Sequence, residues 1–357
     1  MERMQIKPEA LISFLHLLPP ELAHEVTLLA LKLGVTPAQQ PPDDAVLKTS
    51  LWGRGFNNPI GLAAGFDKNA ACIVPLLKWG FGFVEAGTVT PKAQPGNPRP
   101  RIFRVPQQRA VINRLGFNNQ GLEPYVRRLQ EIAGNPVRQA GIVGANVGKN
   151  KDSADAVADY VTGVKAVSPY ADYVVINISS PNTPGLRGLQ NKNELTTLLA
   201  EVQKARLSMS KTPPLLVKIA PDLDEQGLAD VAEAALGAKV DGLIVSNTTI
   251  TRPSIPPELA QESGGLSGAP LFGLSNHALR QMYRLTQGKL PIIGVGGVTN
   301  AEDAYAKIRL GASLVQLYTA LVYEGPWLVA RIKEGLAALL KRDGFKSIQE
   351  AVGADNR

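Results

Sequence analysis

Short apolar runs alternate with helical patterns along the chain after residue 45. Eight of these runs have the length of strands and are continuously apolar, as strands buried on both faces of a parallel sheet are. They are Ile60–Ala64, Phe83–Gly87, Ile142–Val147, Tyr173–Ile178, Leu215–Ile219, Gly242–Ser246, Ile292–Val295 and Leu314–Tyr318. The segments between them include predicted helices at Leu195–Leu207, Glu225–Leu236 and Ala301–Arg309. Eight strand–helix units predict the α/β class and a (β/α)₈ TIM barrel rather than an open sheet.

A two-helix extension precedes the barrel. Bulky apolar residues dominate both segments, Pro19 and Pro20 separate them, and Gly34 ends the second. Residues 1–35 are therefore predicted as a helical domain, 36–45 as a proline-rich linker and 46–357 as the barrel domain. Two interpretations of the apolar helices stay open: they pack on the barrel, or they dip into a lipid surface.

Polar residues follow the predicted strands where these end, at the face that carries the site of an α/β barrel. Any single one is typical of a turn or a helix cap, but six strand ends share the feature. They favour a site for a flat heterocycle with many carbonyl groups and ring nitrogens. The residues are Asp67 and Lys68, Thr88 and Thr90, Asn146, the segment 177–183, Lys218, and the segment 246–249.

The loop Gly294-Val295-Gly296-Gly297 follows the seventh strand, and Tyr318-Thr319 follows the eighth. Glycine-rich loops at these places expose backbone N–H groups to a phosphate. A phosphate together with a flat ring indicates flavin mononucleotide (FMN) before nicotinamide, and no GxGxxG motif opens a strand–helix unit. Lys218 is either a strand-end lysine that reaches solvent or an inward cation that stabilises an anionic reduced flavin.

The 357 residues carry a net charge of +7 and include a single cysteine, so no intrachain disulfide can form. Five arginines without an intervening acid, Arg99, Arg101, Arg104, Arg109 and Arg114, form a basic segment. We expect neither nucleic-acid binding nor a metal site, because stacking aromatics and zinc-ligand spacing are missing. No run of about 20 apolar residues, secretory signal or mitochondrial presequence is found, so a mitochondrial protein would have lost its targeting segment.

Nine segments in order along nearly the whole chain resemble the dihydroorotate dehydrogenase family. They are AAGFDKN, NPRPR, INRLGFNN, NISSPNTPGLRGLQ, VKIAPD, SNTT, GGLSG, IIGVGGV and VQLYTAL. The cytosolic class of that family uses a cysteine base, whereas Ser180 stands in the matching stretch here. Ser180 and the two N-terminal helices resemble the second class, which passes electrons to membrane quinone.

The resemblance implies oxidation of dihydroorotate to orotate with FMN, in pyrimidine synthesis. Ser180 would take the proton from carbon 5, Thr183 would relay it, Phe117 would close the site, and Lys218 would serve the flavin. The implied flavin-binding residues are Ala64, Gly65, Thr88, Asn146, Asn177, Lys218, Ser246, Gly268, Gly297, Tyr318 and Thr319. The implied substrate-binding residues are Lys68, Asn113, Arg114, Leu115, Gly116, Phe117, Asn177, Asn182, Asn247 and Thr248.

The second half-reaction would use a quinone tunnel lined by Leu11, Phe14, Leu15, His24, Arg104 and Tyr318. The family often has glutamine where Leu15 stands, and His24 is otherwise a plain surface histidine. The arginine segment is a solvated face, or Arg104 lines the tunnel mouth while its neighbours meet lipid headgroups. We expect ubiquinone or menaquinone as acceptor, a monomer, and peripheral attachment to the bacterial inner membrane on its cytoplasmic face, or to the mitochondrial inner membrane.

Three rival functions remain. Another flavin barrel enzyme acting on a related ring, or an NAD- or fumarate-coupled member of the same family, is the closest. A silent phosphate-binding scaffold at a membrane predicts no flavin and a dispensable Ser180. A basic RNA-binding protein is the third. No histidine is placed for a Ser–His–Asp triad, which counts against hydrolysis.

Overall fold

The computed structural model describes residues 8–35 and 42–357, with side chains from Ile12 onward. Its strands, in chain order, are β1 (Thr49–Leu51), β2 (Arg54–Phe56), β3 (Ile60–Leu62), β4 (Phe83–Val89), β5 (Ile102–Val105), β6 (Ala110–Asn113), β7 (Ile142–Val147), β8 (Tyr173–Asn177), β9 (Leu215–Ile219), β10 (Gly242–Val245), β11 (Gly265–Gly268), β12 (Ile292–Val295) and β13 (Ala312–Leu317).

The α-helices are α1 (Pro8–Leu17), α2 (Pro20–Lys32), α3 (Ile73–Lys78), α4 (Leu122–Glu131), α5 (Pro136–Ala140), α6 (Ala156–Val167), α7 (Lys192–Leu207), α8 (Glu225–Gly237), α9 (Pro257–Ala260), α10 (Phe272–Leu285), α11 (Ala301–Arg309), α12 (Thr319–Glu324), α13 (Leu328–Arg342) and α14 (Ile348–Ala351). Short 3₁₀ turns lie at 45–47, 106–108, 186–190, 269–271 and 354–356.

Eight parallel strands close into a barrel in the order β3-β4-β7-β8-β9-β10-β12-β13, which confirms the predicted fold class. Their residues are buried on both faces, because one face lines the barrel interior and the other lies under the helices. The hairpin of β1 and β2 closes the amino-terminal end. Trp52 and Phe56 pack there against Phe83 and Tyr173 of the interior. The carboxyl-terminal end is left for the site.

The predicted bounds were right for three strands and wrong by one to two residues for the other five. The predicted strands Ile60–Ala64, Tyr173–Ile178 and Gly242–Ser246 end earlier, at Leu62, Asn177 and Val245, and Phe83–Gly87 extends to Val89. The last strand is Ala312–Leu317 rather than Leu314–Tyr318. The apolar pattern runs past the strand ends because the first loop residues are buried too, although they have left the ladder.

A three-stranded antiparallel sheet covers the carboxyl-terminal end of the barrel, and it was not predicted. The long insertion after the second barrel strand supplies β5 and β6, and the insertion after the sixth supplies β11. Ile112 of β6 pairs with both Phe103 of β5 and Leu266 of β11. Two distant insertions thus join in one cover over this end of the barrel, and long loops in such positions often carry function.

Helices α1 and α2 pack on this cover. The predicted separation of the two helices is confirmed, but α2 begins at Pro20, within the pair of prolines that was expected to separate them. Pro19 caps α2, and Pro20 occupies its first turn, where a missing N–H costs nothing. Ala23 and Leu31 face inward, whereas Phe14, Leu17, Leu22, Leu29, Leu33 and Val35 are exposed. In the described part of the chain, no helix has the length and apolarity that a bilayer crossing requires.

The linker prediction falls partly on residues 36–41, which lie outside the described residues. Its last residues are fixed on the barrel. Asp43 bonds to Lys333 at 2.5 Å, and Asp44 pairs with Lys341. Both lysines lie on α13, so the chain enters the barrel domain tied to the last long helix.

Candidate functional site

One cavity of about 530 Å³ extends from the carboxyl ends of the barrel strands to the N-terminal helices. Its lining changes along its length. We call the part lined by Thr88, Asn113, Asn177, Ser180, Asn182, Lys218, Asn247 and Thr248 the barrel end. We call the part lined by Ile12, Leu15, Ala23, His24, Phe66, Arg104, Tyr318 and Val322 the helix end.

A chain of hydrogen bonds orients the amides under the barrel end. The Asn146 amide donates to buried Glu85 at 2.8 Å and accepts from the Thr88 hydroxyl at 2.6 Å. Thr88 in turn accepts from the Asn177 amide at 3.0 Å, and the Asn177 oxygen accepts from Asn247 at 3.2 Å. Because the Asn146 NH₂ group donates to Glu85, its oxygen faces Thr88, and the Thr88 hydroxyl, once it has donated to that oxygen, accepts from Asn177. Each side-chain amide in this series of hydrogen bonds therefore presents one defined edge.

Glu85 is fully buried in the barrel interior and also accepts from Tyr173 at 3.1 Å and Gln316 at 2.8 Å. The Glu85 charge acts on Lys218. Lys218 lines the cavity and is 5% exposed. Burial lowers the pKa of the Lys218 ammonium, and the Glu85 carboxylate opposes that shift. Among the described residues, no hydrogen bond holds the Lys218 ammonium, so it is available to a ligand. Lys218 thus points inward, as the second interpretation of the sequence has it.

Ser180 sits in the loop after β8, which two other side chains hold in place. The Arg187 guanidinium donates to the Ser179 carbonyl at 3.0 Å and the Thr248 carbonyl at 2.9 Å, and it pairs with Asp222 at 2.8 Å. Ser180 is 7% exposed and lines the cavity. Thr183 lies behind the wall, and its buried hydroxyl has no hydrogen-bond partner in the described part of the chain.

The loop that follows β6 forms one wall of the barrel end. Asn182 donates to Asn113 at 3.3 Å, and Asn97 ties the Asn182 carbonyl to this loop at 3.1 Å. Phe117 adopts a left-handed φ of 54°, and its ring packs where Gly148 leaves room for it. Asn113, Leu115, Gly116 and Phe117 all line the cavity.

Arg114 does not join them, and its assignment to substrate binding finds no support in its position. Its guanidinium pairs with Glu262 and lies 4.6 Å over the Phe103 ring. Side chains alternate in direction along an extended segment, so Asn113 and Arg114 cannot both face the cavity. Arg114 instead joins the two insertions that form the cover.

Two glycines shape the wall where a phosphate was predicted. Gly268 and Gly297 have φ values of 97° and 78°, in the region that favours glycine. A Cβ at Gly297 would lie 2.5 Å from the Phe272 Cα, and one at Gly268 would collide with the Arg109 carbonyl. The Thr319 hydroxyl donates to Ser267 at 2.8 Å beside them. This wall is bare backbone next to hydroxyls, as an anion site requires.

The helix end is mostly apolar. The His24 ring meets the Phe66 ring edge-on at 5.2 Å and lies 6.4 Å from the Tyr318 ring. Burial, followed by the charge of Lys68, lowers the pKa of His24 to about 3, so the ring is neutral. Its Nε2 has no partner among the described residues. The interpretation of His24 as a plain surface histidine was therefore wrong.

Arg104 holds the turn between α1 and α2. Its guanidinium donates to the carbonyls of Leu15, His16 and Leu18 at 3.2, 3.1 and 3.0 Å. These are the carbonyls that the end of a helix leaves without partners. Arg104 also lines the cavity, together with Phe14 and Leu15. The side chain of Leu11 lies outside the described residues.

The other arginines of the basic segment are paired. Arg101 bonds Glu21 of α2 at 2.7 Å, Arg99 reaches Glu21 and Glu25, and Arg109 pairs with Glu324. Arg99 and Arg109 are exposed, as the interpretation of the segment as a solvated face has it, whereas Arg101 is buried in its ion pair. Contact with lipid headgroups stays a prediction. The acids are remote in sequence, so the sequence alone did not reveal them.

Lys68 also lines the cavity. Burial lowers the pKa of this ammonium to about 8, while the Glu21 carboxylate acts in the opposite direction.

Of the described site residues predicted from sequence, the cavity wall includes all but three: Arg114, Asn146 and Thr183. Asn146 and Thr183 support the wall from behind. Sequence reasoning missed Glu85, although a charged residue inside an apolar run is the signal that singled out Lys218.

Comparisons with known proteins agree on one family. A family model described as dihydroorotate dehydrogenase matches residues 46–340. The chain is 58% identical over 340 residues to "Dihydroorotate dehydrogenase (quinone)" of Parvibaculum lavamentivorans, covering 95% of this chain and 96% of that protein. It is 56% identical over 366 residues to "Dihydroorotate dehydrogenase (quinone), mitochondrial" of Oryza sativa subsp. japonica, covering 95% and 78%.

A solved structure is similar over nearly the same span. The crystal structure of DHODH from Eimeria tenella in complex with ferulenol superimposes with a TM-score of 0.92 at 42% identity, covering 95% of this chain and 96% of that chain. The likeness includes the N-terminal part, since 95% of 357 residues cannot be covered by the barrel domain alone.

Proposed function

The chain belongs to the dihydroorotate dehydrogenase family, and we infer from this that it oxidises dihydroorotate to orotate and passes the electrons to a quinone. This reaction is a step of pyrimidine synthesis. The observation that carries the proposal is the continuity of one cavity whose barrel end is polar and whose helix end is apolar. A small anionic heterocycle fits the first part and a quinone ring fits the second.

FMN is the proposed cofactor, and the residues present fit it. Gly268 and Gly297 expose backbone to an anion at one side, and Lys218 offers at the other an ammonium to which no described residue is hydrogen-bonded. The residues that would hold it are Ala64, Gly65, Thr88, Asn146, Asn177, Lys218, Ser246, Gly268, Gly297, Tyr318 and Thr319. When bound, FMN supplies a two-electron acceptor for hydride and a carrier that quinone can reoxidise. Asn146 would act through Thr88, because it does not reach the cavity wall.

The substrate is proposed to lie against the amides of the barrel end. Lys68 supplies positive charge for the carboxylate of dihydroorotate. The imide edges would bond to Asn113, Asn177, Asn182, Asn247 and Thr248, with Leu115, Gly116 and Phe117 excluding water. Since the Glu85 chain fixes which edge each amide shows, the ring is bound in one orientation.

Ser180 is the proposed base that takes the proton from carbon 5. A serine hydroxyl is a weak base, so its own proton must leave as the new one arrives. Thr183 is the proposed relay, which accepts that proton directly or through a water and passes its own proton on to solvent water. The buried Thr183 hydroxyl, which has no partner among the described residues, supports this role, since such a group is expected to find one.

The helix end is the proposed route for quinone, through Phe14, Leu15, His24, Arg104 and Tyr318. The exposed apolar residues of α1 and α2 would meet the lipid from which a quinone arrives. We propose peripheral attachment to the bacterial inner membrane, on its cytoplasmic face, or to the mitochondrial inner membrane. The protein would act as a monomer, with ubiquinone or menaquinone as acceptor.

The test is an anaerobic titration of the purified protein followed by its visible spectrum. Bleaching of the flavin bands by dihydroorotate, and their return on adding a short-chain quinone, would support both half-reactions. Bleaching without return would exclude quinone as the electron acceptor. A yellow protein that ignores dihydroorotate would be another flavin enzyme, and a colourless one that cannot be reconstituted with FMN would be a scaffold.

A further inference from the structure

Lys307 on α11 is a charged side chain that is fully buried and has no part in the proposed reaction. Its ammonium donates to the Ser275 hydroxyl and to the Asn276 side-chain oxygen, both at 2.8 Å. It also lies 5.3 Å from the centre of the Phe272 ring. All three contacts are to the first turns of α10, so the ammonium is fixed in place.

No carboxylate within salt-bridge distance compensates this charge among the described residues. The nearest candidate, Asp303, accepts from the Thr299 N–H at 2.9 Å and the Thr299 hydroxyl at 2.6 Å. Burying an ammonium without an anion is costly, and burial accordingly lowers the pKa of Lys307 to about 7. At this pKa the group is only partly protonated at neutral pH, and an anion bound nearby would favour its charged form.

The ammonium lies directly behind the glycine loop that follows β12. The Ser275 hydroxyl that it bonds also donates to the Gly296 carbonyl at 2.9 Å. The Lys307 stem packs on Gly294, where an added Cβ would lie 3.2 Å from its Cδ. On the opposite side, Gly296 and Gly297 line the cavity. A single layer of backbone thus separates the charge from the proposed phosphate position.

We propose that Lys307 is the buried counter-charge for the phosphate of the flavin nucleotide, acting through the Gly296–Gly297 loop without touching the ligand. The inference rests on the proposed function, since FMN is the anion in question. Lys307 is a positioning residue: backbone N–H groups contact the phosphate, and the ammonium offsets its charge and anchors the loop through Ser275. Coulomb attraction acts across one layer of backbone because the medium there is poorly polarisable.

The test compares two ligands that differ only in the phosphate. Full-length protein freed of flavin is titrated with FMN and with riboflavin, and flavin fluorescence reports binding. Lys307→Met should weaken FMN binding by about tenfold or more and leave riboflavin binding within about twofold. Lys333→Met is the matched control. Lys333, on α13, is also buried, but its ammonium pairs with Asp43, and it does not line the cavity. It should leave the FMN-to-riboflavin ratio unchanged.

Equal losses for both ligands in Lys307→Met would show a packing role and overturn the inference. If that variant does not fold, Asn276→Asp decides the question, since it places a carboxylate beside the ammonium with almost no change of shape. It should lower FMN affinity selectively, and an unchanged FMN affinity would again overturn the inference. A wild-type protein that binds neither flavin would instead remove the proposed function itself.

Discussion

The two ends of the cavity are built by different means. At the barrel end five of the eight lining side chains, Thr88, Asn113, Asn177, Asn182 and Asn247, are bonded to other side chains. Three of them belong to a series of bonds that begins at Glu85 and passes through Asn146. At the helix end the wall is mostly apolar side chains and rings, and the His24 Nε2 has no partner among the described residues. Directional bonds between side chains hold the barrel end, whereas packing and the bonds of Arg104 to backbone carbonyls hold the helix end.

The difference teaches what each end can select. Fixed donors and acceptors reject a ligand that leaves them unpaired, so the barrel end suits one heterocycle in one orientation. An apolar wall discriminates weakly between ligands of similar shape. The helix end therefore suits a family of quinones. Changes at the barrel end should affect the dihydroorotate half-reaction alone, and changes at the helix end the quinone half-reaction alone.

The largest effect is expected for Ser180→Ala. Loss of the proton acceptor should slow flavin reduction by dihydroorotate by about 10²–10⁴-fold. Anaerobic stopped-flow absorbance measures this rate separately from reoxidation. Orotate binding and the quinone step should stay within about twofold, since the hydroxyl is small and lies at the barrel end. A comparable loss in quinone reoxidation would mean that the two ends are not independent.

The next effect is expected at the helix end, for Arg104→Leu. The guanidinium satisfies three backbone carbonyls at the end of α1, and charge-assisted bonds of this kind contribute about 1.5–3 kcal/mol each. Its loss should loosen α1 and raise the KM for a long-chain quinone by about ten- to a hundredfold. The rate of flavin reduction by dihydroorotate should not change.

Arg109→Leu is the matched control, because Arg109 belongs to the same insertion but pairs with Glu324 at the surface. It should leave the quinone KM within about twofold. If Arg104→Leu slowed both half-reactions equally, the cover sheet would be transmitting the change, and the division of the cavity into two ends would be wrong.

A smaller effect is expected in the pH dependence of orotate binding at the barrel end. The pKa of Lys68 is lowered to about 8, so its ammonium is present below that pH and is lost as the pH rises through it. Orotate affinity, read from the flavin spectrum, should be constant between pH 6 and 7 and fall above about pH 8, by up to about tenfold per pH unit. Lys68→Met should bind orotate weakly at every pH. A wild-type affinity that stays flat to pH 9 would exclude Lys68 as the carboxylate partner.

The barrel and most of the cavity wall could be predicted because their signals are local. Continuous apolar runs mark the strands, and polar residues such as Asn177 and Ser246 follow directly where the runs end. The fold then brings these ends together without further information, since parallel strands all end at one edge. The resemblance to a family added roles that spacing could not give.

What escaped prediction depends on contacts between distant segments. The cover sheet joins Ile112 to Leu266, and the arginine segment is neutralised by acids such as Glu21 and Glu262. No local pattern encodes such pairs. Glu85 could have been found, because a carboxylate within Phe83–Val89 is as unusual as the lysine of β9. Its hydrogen-bond partners Asn146, Tyr173 and Gln316 could not have been predicted, because they come from three other strands.

The smallest effect is expected for His24→Phe, and it tests what the helix end recognises. His24 is neutral, with a pKa lowered to about 3, and it packs edge-on against Phe66 as a phenyl ring would. Replacing an unpaired polar group by an apolar one of similar shape is nearly neutral. The quinone KM should therefore change by less than about threefold in steady-state assays between pH 6 and 9. A rise of tenfold or more would show that the Nε2 atom bonds a quinone carbonyl. The helix end would then select its ligand by direction, as the barrel end does.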